Sequence, residues 1–102
     1  MAITLVSQNF SFPPGQVIPL CDVNDSAIVF QVNNLSANQW LTAGWIELYT
    51  DIPGINPTVS IGRHRAIYNK ALYVPKPVFS LYSVFYQPES WISEVNIFVW
   101  AL

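Results

Sequence analysis

The sequence predicts an antiparallel β-sandwich or jelly roll of seven to eight short strands, and three observations predict it. Apolar residues recur at every second position and are rich in β-branched and aromatic types, as half-buried strands require. Helical spacing is nearly absent along the 102 residues. The eight prolines and four glycines fall mostly between the alternating runs, where they punctuate turns at roughly ten-residue intervals, the rhythm of a two-sheet domain.

The first extended run is 3–12, closed by Pro13-Pro14-Gly15. Segment 16–20 carries Pro19, which cannot donate to a ladder, so residues 1–20 are read as an extended arm or an edge segment. Asp22-Val23-Asn24-Asp25-Ser26 reads as a polar loop. Residues 27–32 alternate, with Ile28, Phe30 and Val32 set against Val29 and Gln31; 33–38 reads as a turn. Residues 40–50 form the next strand, Ile46 and Leu48 on one face and Trp45, Glu47 and Tyr49 on the other. The loop Asp51-Ile52-Pro53-Gly54-Ile55-Asn56-Pro57 leads to a short strand at 58–61. Residues 63–77 are read as an excursion holding a short strand at 71–74. Two long strands, 78–86 and 91–100, joined by Gln87-Pro88-Glu89-Ser90, complete the set. No linker or repeat interrupts the chain, so 1–102 is read as one domain.

Those last two strands carry apolar side chains on both faces. In the first, Val78, Tyr82, Val84 and Tyr86 share one side, and Phe79, Leu81 and Phe85 the other. In the second, Val95, Ile97 and Val99 oppose Phe98 and Trp100, which follow Glu94 and Asn96. A two-layer domain buries only one face of each strand. The second face therefore needs a cover, and a neighbouring subunit would supply it. The alternative cover is the 63–77 excursion folded across the sheet.

Composition points the same way. Charged residues make up 10% of the chain, against about 25% in an ordinary soluble domain. A surface of about 5,800 Å², expected for this mass, then carries about one charge per 580 Å². Hydrophobic residues make up 52% and aromatics 15%. Neutral Asn, Gln, Ser and Thr could keep such a surface wet; partial coverage by other protein accounts for the balance more directly. A net charge of −2 with no basic run gives no electrostatic footprint for nucleic acid. No signal-peptide pattern or membrane span is expected.

Catalytic machinery is not recognisable. The one histidine, His64, lies between Arg63 and Arg65, which disfavour its charged form and its service as a base. No Gly-x-Ser-x-Gly elbow surrounds a serine, and the single cysteine, Cys21, has no evident activating neighbour. Asp22, Asn24 and Ser26 match the first ligand spacings of a calcium loop, but Ala27 replaces the glycine and Asn33 the bidentate glutamate. One cysteine and one histidine cannot complete a zinc shell. No cofactor and no enzymatic activity are expected.

The amphipathic rings of Trp40, Trp45, Tyr49, Tyr68, Tyr73, Tyr82, Tyr86, Trp91 and Trp100 exceed what a small core can hold. Such rings anchor protein interfaces and also stack on sugars, so a carbohydrate-binding or lectin-like module is the rival reading. Trp45 and Tyr49, four residues apart on one strand face, would stand about 13 Å apart, far for neighbouring sugar rings.

The order Phe12-Pro13-Pro14-Gly15, Ala27-Ile28-Val29-Phe30-Gln31-Val32, Trp40, Ile46-Glu47-Leu48-Tyr49-Thr50-Asp51 and Val95-Asn96-Ile97-Phe98-Val99-Trp100 resembles small β-sandwich proteins of tailed-bacteriophage virions, particularly capsid cement or decoration proteins. Asp51-Ile52-Pro53-Gly54 departs from the usual glycine-rich turn after the middle strand. The resemblance implies a structural protein on the capsid exterior, a homo-oligomer with a trimer favoured, bound to the major capsid protein. On strand parity, Tyr82, Tyr86, Phe98 and Trp100 are expected at the self-interface. Ile3, Leu5, Phe10 and Phe12 of the N-terminal run, with Arg63 and Arg65, are expected to meet the shell.

Overall fold

The computed structural model describes residues 3–11, 13, 16–33, 42–50, 59–89 and 94–102. Among them the chain forms eight strands: β1 (Ile3–Ser11), β2 (Ile18–Asn24), β3 (Ile28–Asn33), β4 (Thr42–Thr50), β5 (Val59–Ile67), β6 (Leu72–Val74), β7 (Leu81–Gln87) and β8 (Glu94–Ala101). They make two four-stranded antiparallel sheets, ordered β1-β8-β3-β6 and β2-β7-β4-β5. The pairs β1–β8, β2–β7, β3–β6 and β4–β5 are those of one long hairpin that reverses between β4 and β5. Rolling that hairpin brings β3 beside β8 and β4 beside β7, which is the jelly-roll arrangement. No helix among the described residues is long and apolar enough to cross a membrane.

Alternation builds the core. Ile28, Phe30 and Val32 of β3 and Val95, Ile97 and Val99 of β8 face Ile46 and Leu48 of β4 and Tyr82, Val84 and Tyr86 of β7, all buried. The tyrosines satisfy their hydroxyls at the rim of this layer, as buried phenols generally must. Tyr82 donates to the carbonyl of Ser26 at 2.5 Å, and Tyr86 donates to the carbonyl of Ala43.

Several element boundaries differ from expectation; β7, for one, runs from Leu81 to Gln87 where 78–86 is expected. The Asp22–Ser26 segment is not wholly a loop: Asp22, Val23 and Asn24 continue β2 beyond a register shift between Pro19 and Cys21. Residues 63–67 are not an excursion. They continue β5, where Arg65 pairs with Trp45 and Arg63 with Glu47, so their charge reflects an outward-facing edge strand and no flap from them covers a sheet. Within residues 1–20, read as an arm or an edge segment, β1 and the first three residues of β2 lie in edge strands.

Gly44 makes one close approach feasible. It adopts φ +106° beside the register shift between Thr42 and Gly44. A Cβ there would lie 2.1 Å from the carbonyl oxygen of Gln87, so only glycine fits.

Candidate functional site

Outside the filled core, the two outer sheet faces differ sharply. On the β2-β7-β4-β5 sheet the outward side chains engage one another. The guanidinium carbons of Arg63 and Arg65 lie 4.1 and 4.5 Å from the centroid of the Trp45 ring, within cation–π range. Arg65 also pairs with Glu89 at 2.6 Å. Tyr49 donates to Glu47 at 2.9 Å and packs edge-on against Phe85 at 5.1 Å. The bond to Glu47, which accepts the phenolic proton, is the main reason that the Tyr49 pKa is raised. Ser83 donates to Asp22 at 2.7 Å. Five charged residues, Asp22, Glu47, Arg63, Arg65 and Glu89, thus stand on this side with partners beside them.

The β1-β8-β3-β6 sheet presents rows across its strands. Thr4, Trp100, Val29 and Tyr73 are directly opposite in turn, forming a largely apolar row. Ser7, Phe98 and Gln31 form the next, and Asn9, Asn96 and Asn33 a third. The rings of Phe98 and Trp100 are parallel within 6°, centroids 5.7 Å apart. The amide row is knit together: Asn9 donates to Asn96 at 3.0 Å, and Gln31 donates to Asn33 at 3.0 Å. These three rows hold no charge, and Glu94, opposite Ser11 just beyond them, is the nearest charged residue along β8. A two-residue aromatic stack bordered by neutral amides and hydroxyls is chemistry suited to a flat protein partner.

The residues expected at an interface are dispersed. Phe98 and Trp100 sit at the centre of the charge-poor face. Tyr82 and Tyr86 do not: they are 1% and 0% exposed inside the sandwich, so their expected place at a self-interface is corrected. The strand runs from Leu81 to Gln87, which makes Leu81, Ser83, Phe85 and Gln87 the outward set and turns both tyrosines inward. Arg63 and Arg65 lie on the other sheet's face. Ile3 and Leu5 are exposed at the start of β1, and Phe10 packs partly against the core; Phe12 lies outside the described residues. β1 lies by β2, and β5 by β6, so β1 and the arginines occupy opposite lateral edges of the sandwich. Tyr73 is among the rings expected to make contacts, whereas Val29 and the amide row are not anticipated, although the alternation in 28–33 and 94–101 holds most of that signal.

The chemistry-bearing candidates do not assemble. Cys21 is on β2 and His64 on β5, the two outer strands of one sheet, about 14 Å apart at three strand spacings. Burial, aided by the nearby Asp22 carboxylate, pushes the Cys21 thiol up to about 11, opposite to what a nucleophile needs. Asp22 and Asn24 lie on a strand, and Asp25 pairs with Lys76. Among the described residues, no three His, Cys, Asp or Glu side chains gather as a metal site would require. A depression over the β2–β7 seam, lined by Pro19, Cys21, Ser83 and Phe85 among others, encloses about 200 Å³, below the usual size of ligand pockets.

Compared with known protein families, curated proteins and solved structures, the chain matches none.

Proposed function

We propose that this chain is a non-enzymatic structural protein of a virion, a cement or decoration subunit that works by covering and bridging protein surface. The observation that carries the reading is the contrast between the two outer faces. One sheet satisfies its own charges, while the other offers Trp100, Phe98, Val29 and Tyr73 in rows that hold no charge. Burying the Phe98–Trp100 part of such a face removes apolar area from water, while Glu94 stays at the far end beside Asn9, which donates to it at 3.3 Å. The jelly roll is frequent among capsid proteins and supports the reading by analogy of fold alone. In this reading Phe98 and Trp100 anchor the contact, whose partners are further copies and a major capsid protein.

The test is co-sedimentation of the chain with emptied tailed-phage capsids, wild type against Trp100→Ser. Saturable binding that Trp100→Ser abolishes is the expected result. Failure to bind any shell, together with a monomeric solution mass, overturns the reading. The same Phe98–Trp100 stack also favours a glycan-binding reading, because parallel rings beside amides can hold a sugar. A saturable shift in tryptophan fluorescence on sugar addition, lost in Trp100→Ser, would move the assignment there.

A further inference from the structure

A sandwich of two open sheets has four edge strands, and each exposed edge is a template for another strand. Among the described residues those edges are β1 and β6 in one sheet, β2 and β5 in the other. Three carry the devices that block further pairing. β6 is three residues long, followed by Pro75, Lys76 and Pro77. β2 holds Pro19, a register shift immediately after it, and Asp22. β5 carries Arg63, His64 and Arg65, and its ladder with β4 shifts twice. β1 is different. Its nine residues, Ile-Thr-Leu-Val-Ser-Gln-Asn-Phe-Ser, include no charge, proline or glycine. Its single register shift falls between Thr4 and Val6, leaving Val6 to Ser11 regular. Ile3 is 63% exposed and Leu5 36%.

We propose that β1 pairs antiparallel with β1 of a second copy, about a twofold axis through Gln8, joining two four-stranded sheets into one of eight strands. The strand's own pattern selects this register, because a one-residue slip would exchange the faces. Val6, Gln8 and Phe10 are opposite the buried Val99, Ile97 and Val95, whereas Ser7, Asn9 and Ser11 share the outer face with Phe98, Asn96 and Glu94. With Gln8 opposite Gln8 of the second copy, Val6 meets Phe10 on the inner side and Ser7 meets Asn9 on the outer side. Apolar pairs with apolar and polar with polar. An uncharged strand also meets its own copy without repulsion, which a twofold contact demands.

The area is that of a weak, reversible contact. Five matched residues, Val6 to Phe10, span about 17 Å, and the molecule is 20 Å through its thinnest direction. The seam therefore covers about 340 Å² on each copy, about 700 Å² in total and below the ~1,000 Å² of a stable specific interface. A dimer that dissociates on dilution is expected. The inference stands apart from the shell-building reading, since it rests on the edge of the sheet and not on its face.

The experiment is solution mass by light scattering over a dilution series, with circular dichroism confirming the fold of each variant. Wild type should approach twice 11.5 kDa at high concentration. Gln8→Lys and Gln8→Glu each place like charges opposite one another on the axis and should each be monomeric. Mixed one to one, they should recover the dimer. In a Cys21→Ser background, Gln8→Cys should form an intermolecular disulfide on mild oxidation, because opposite residues in a ladder lie within disulfide reach. A wild type monomeric throughout overturns the proposal, as does a dimer that survives in both charged variants. A dimer lost in Trp100→Ser but kept in Gln8→Lys also overturns it and transfers the contact to the sheet face.

Discussion

The hydroxyl of Tyr86 donates to the carbonyl oxygen of Ala43, tying the middle of one sheet to the backbone immediately before Gly44. The ring sits 5.8 Å from that of Phe30 in the opposite sheet, so one side chain joins both layers and closes the rim. Tyr86→Phe keeps the ring and leaves the Ala43 carbonyl without this donor. The expected loss is about 1–2 kcal/mol, read as a lower urea midpoint with unchanged slope.

Gly44→Ala should be more damaging. At φ +106° the new Cβ would approach the Gln87 carbonyl at 2.1 Å and the Cα of Pro88 at 2.9 Å. Both are backbone atoms and cannot swing aside. A loss of about 2–3 kcal/mol is expected from the strained dihedral together with the displaced strand, measured by thermal or urea unfolding.

Alkali should unfold the protein earlier than its few charges would indicate. Burial pushes the Cys21 thiol from its ordinary 9.0 to about 11, and the Tyr82 phenol from 10.0 to about 12. Burial raises Tyr86 as well. Each group holds its proton more tightly when folded than when unfolded. The associated stability is intact below pH 9, where both states are protonated, and declines as pH rises through the folded values. The urea midpoint should therefore be flat from pH 7 to 9 and fall between 9 and 12, with Cys21→Ser delaying the onset. A midpoint unchanged at pH 11 would contradict this account.

The same shift makes Cys21 slow to react. Two units of pKa reduce the thiolate fraction at pH 8 about a hundredfold relative to an ordinary cysteine. Alkylation by iodoacetamide should be slowed accordingly in the native protein and restored in urea.

Trp100→Ala and Tyr86→Ala should separate assembly from folding. Trp100 lies on an outer face, so its removal should weaken association by more than about 1 kcal/mol while the fold persists. Tyr86 is wholly buried, and its loss should cost about 3–5 kcal/mol of stability. Titration calorimetry or light scattering reads the first, and urea unfolding the second.

The jelly roll was legible because alternation in 28–32, 45–49 and 95–99 fixes which residues meet inside. The inward side of β7 was not read correctly. Tyr82, Val84 and Tyr86 look as suitable for a partner as for a core, and the deciding polar residues are Ser83 and Gln87 on the opposite side, the second of which reads by sequence as part of a turn. β5 was hidden for a similar reason. Arg63, His64 and Arg65 are loop-like in composition, and only the Trp45 ring on the neighbouring strand gives their stems and charges a place to rest. Phe98 and Trp100 could be placed on an outer face from parity alone. The amide row beside them could not be recognised before the strand register was known, because Asn9, Asn33 and Asn96 come from three separate parts of the chain.

Nesting every strand pair inside the next sets the order in which this protein is expected to fold. Joining β4 to β5 closes the shortest loop, whereas joining β1 to β8 brings Ile3 opposite Ala101 across nearly the whole chain. Loop-closure entropy favours the inner pair first, and a fold dominated by such distant pairings is expected to take milliseconds to seconds. During synthesis β1 emerges long before β8, its one neighbour among the described strands of the sheet, and must wait for it to leave the ribosome. For that interval an uncharged, proline-free strand is bare on both sides, so crowded expression should send this chain into inclusion bodies through its N-terminal segment, and slowing translation or lowering temperature should recover it.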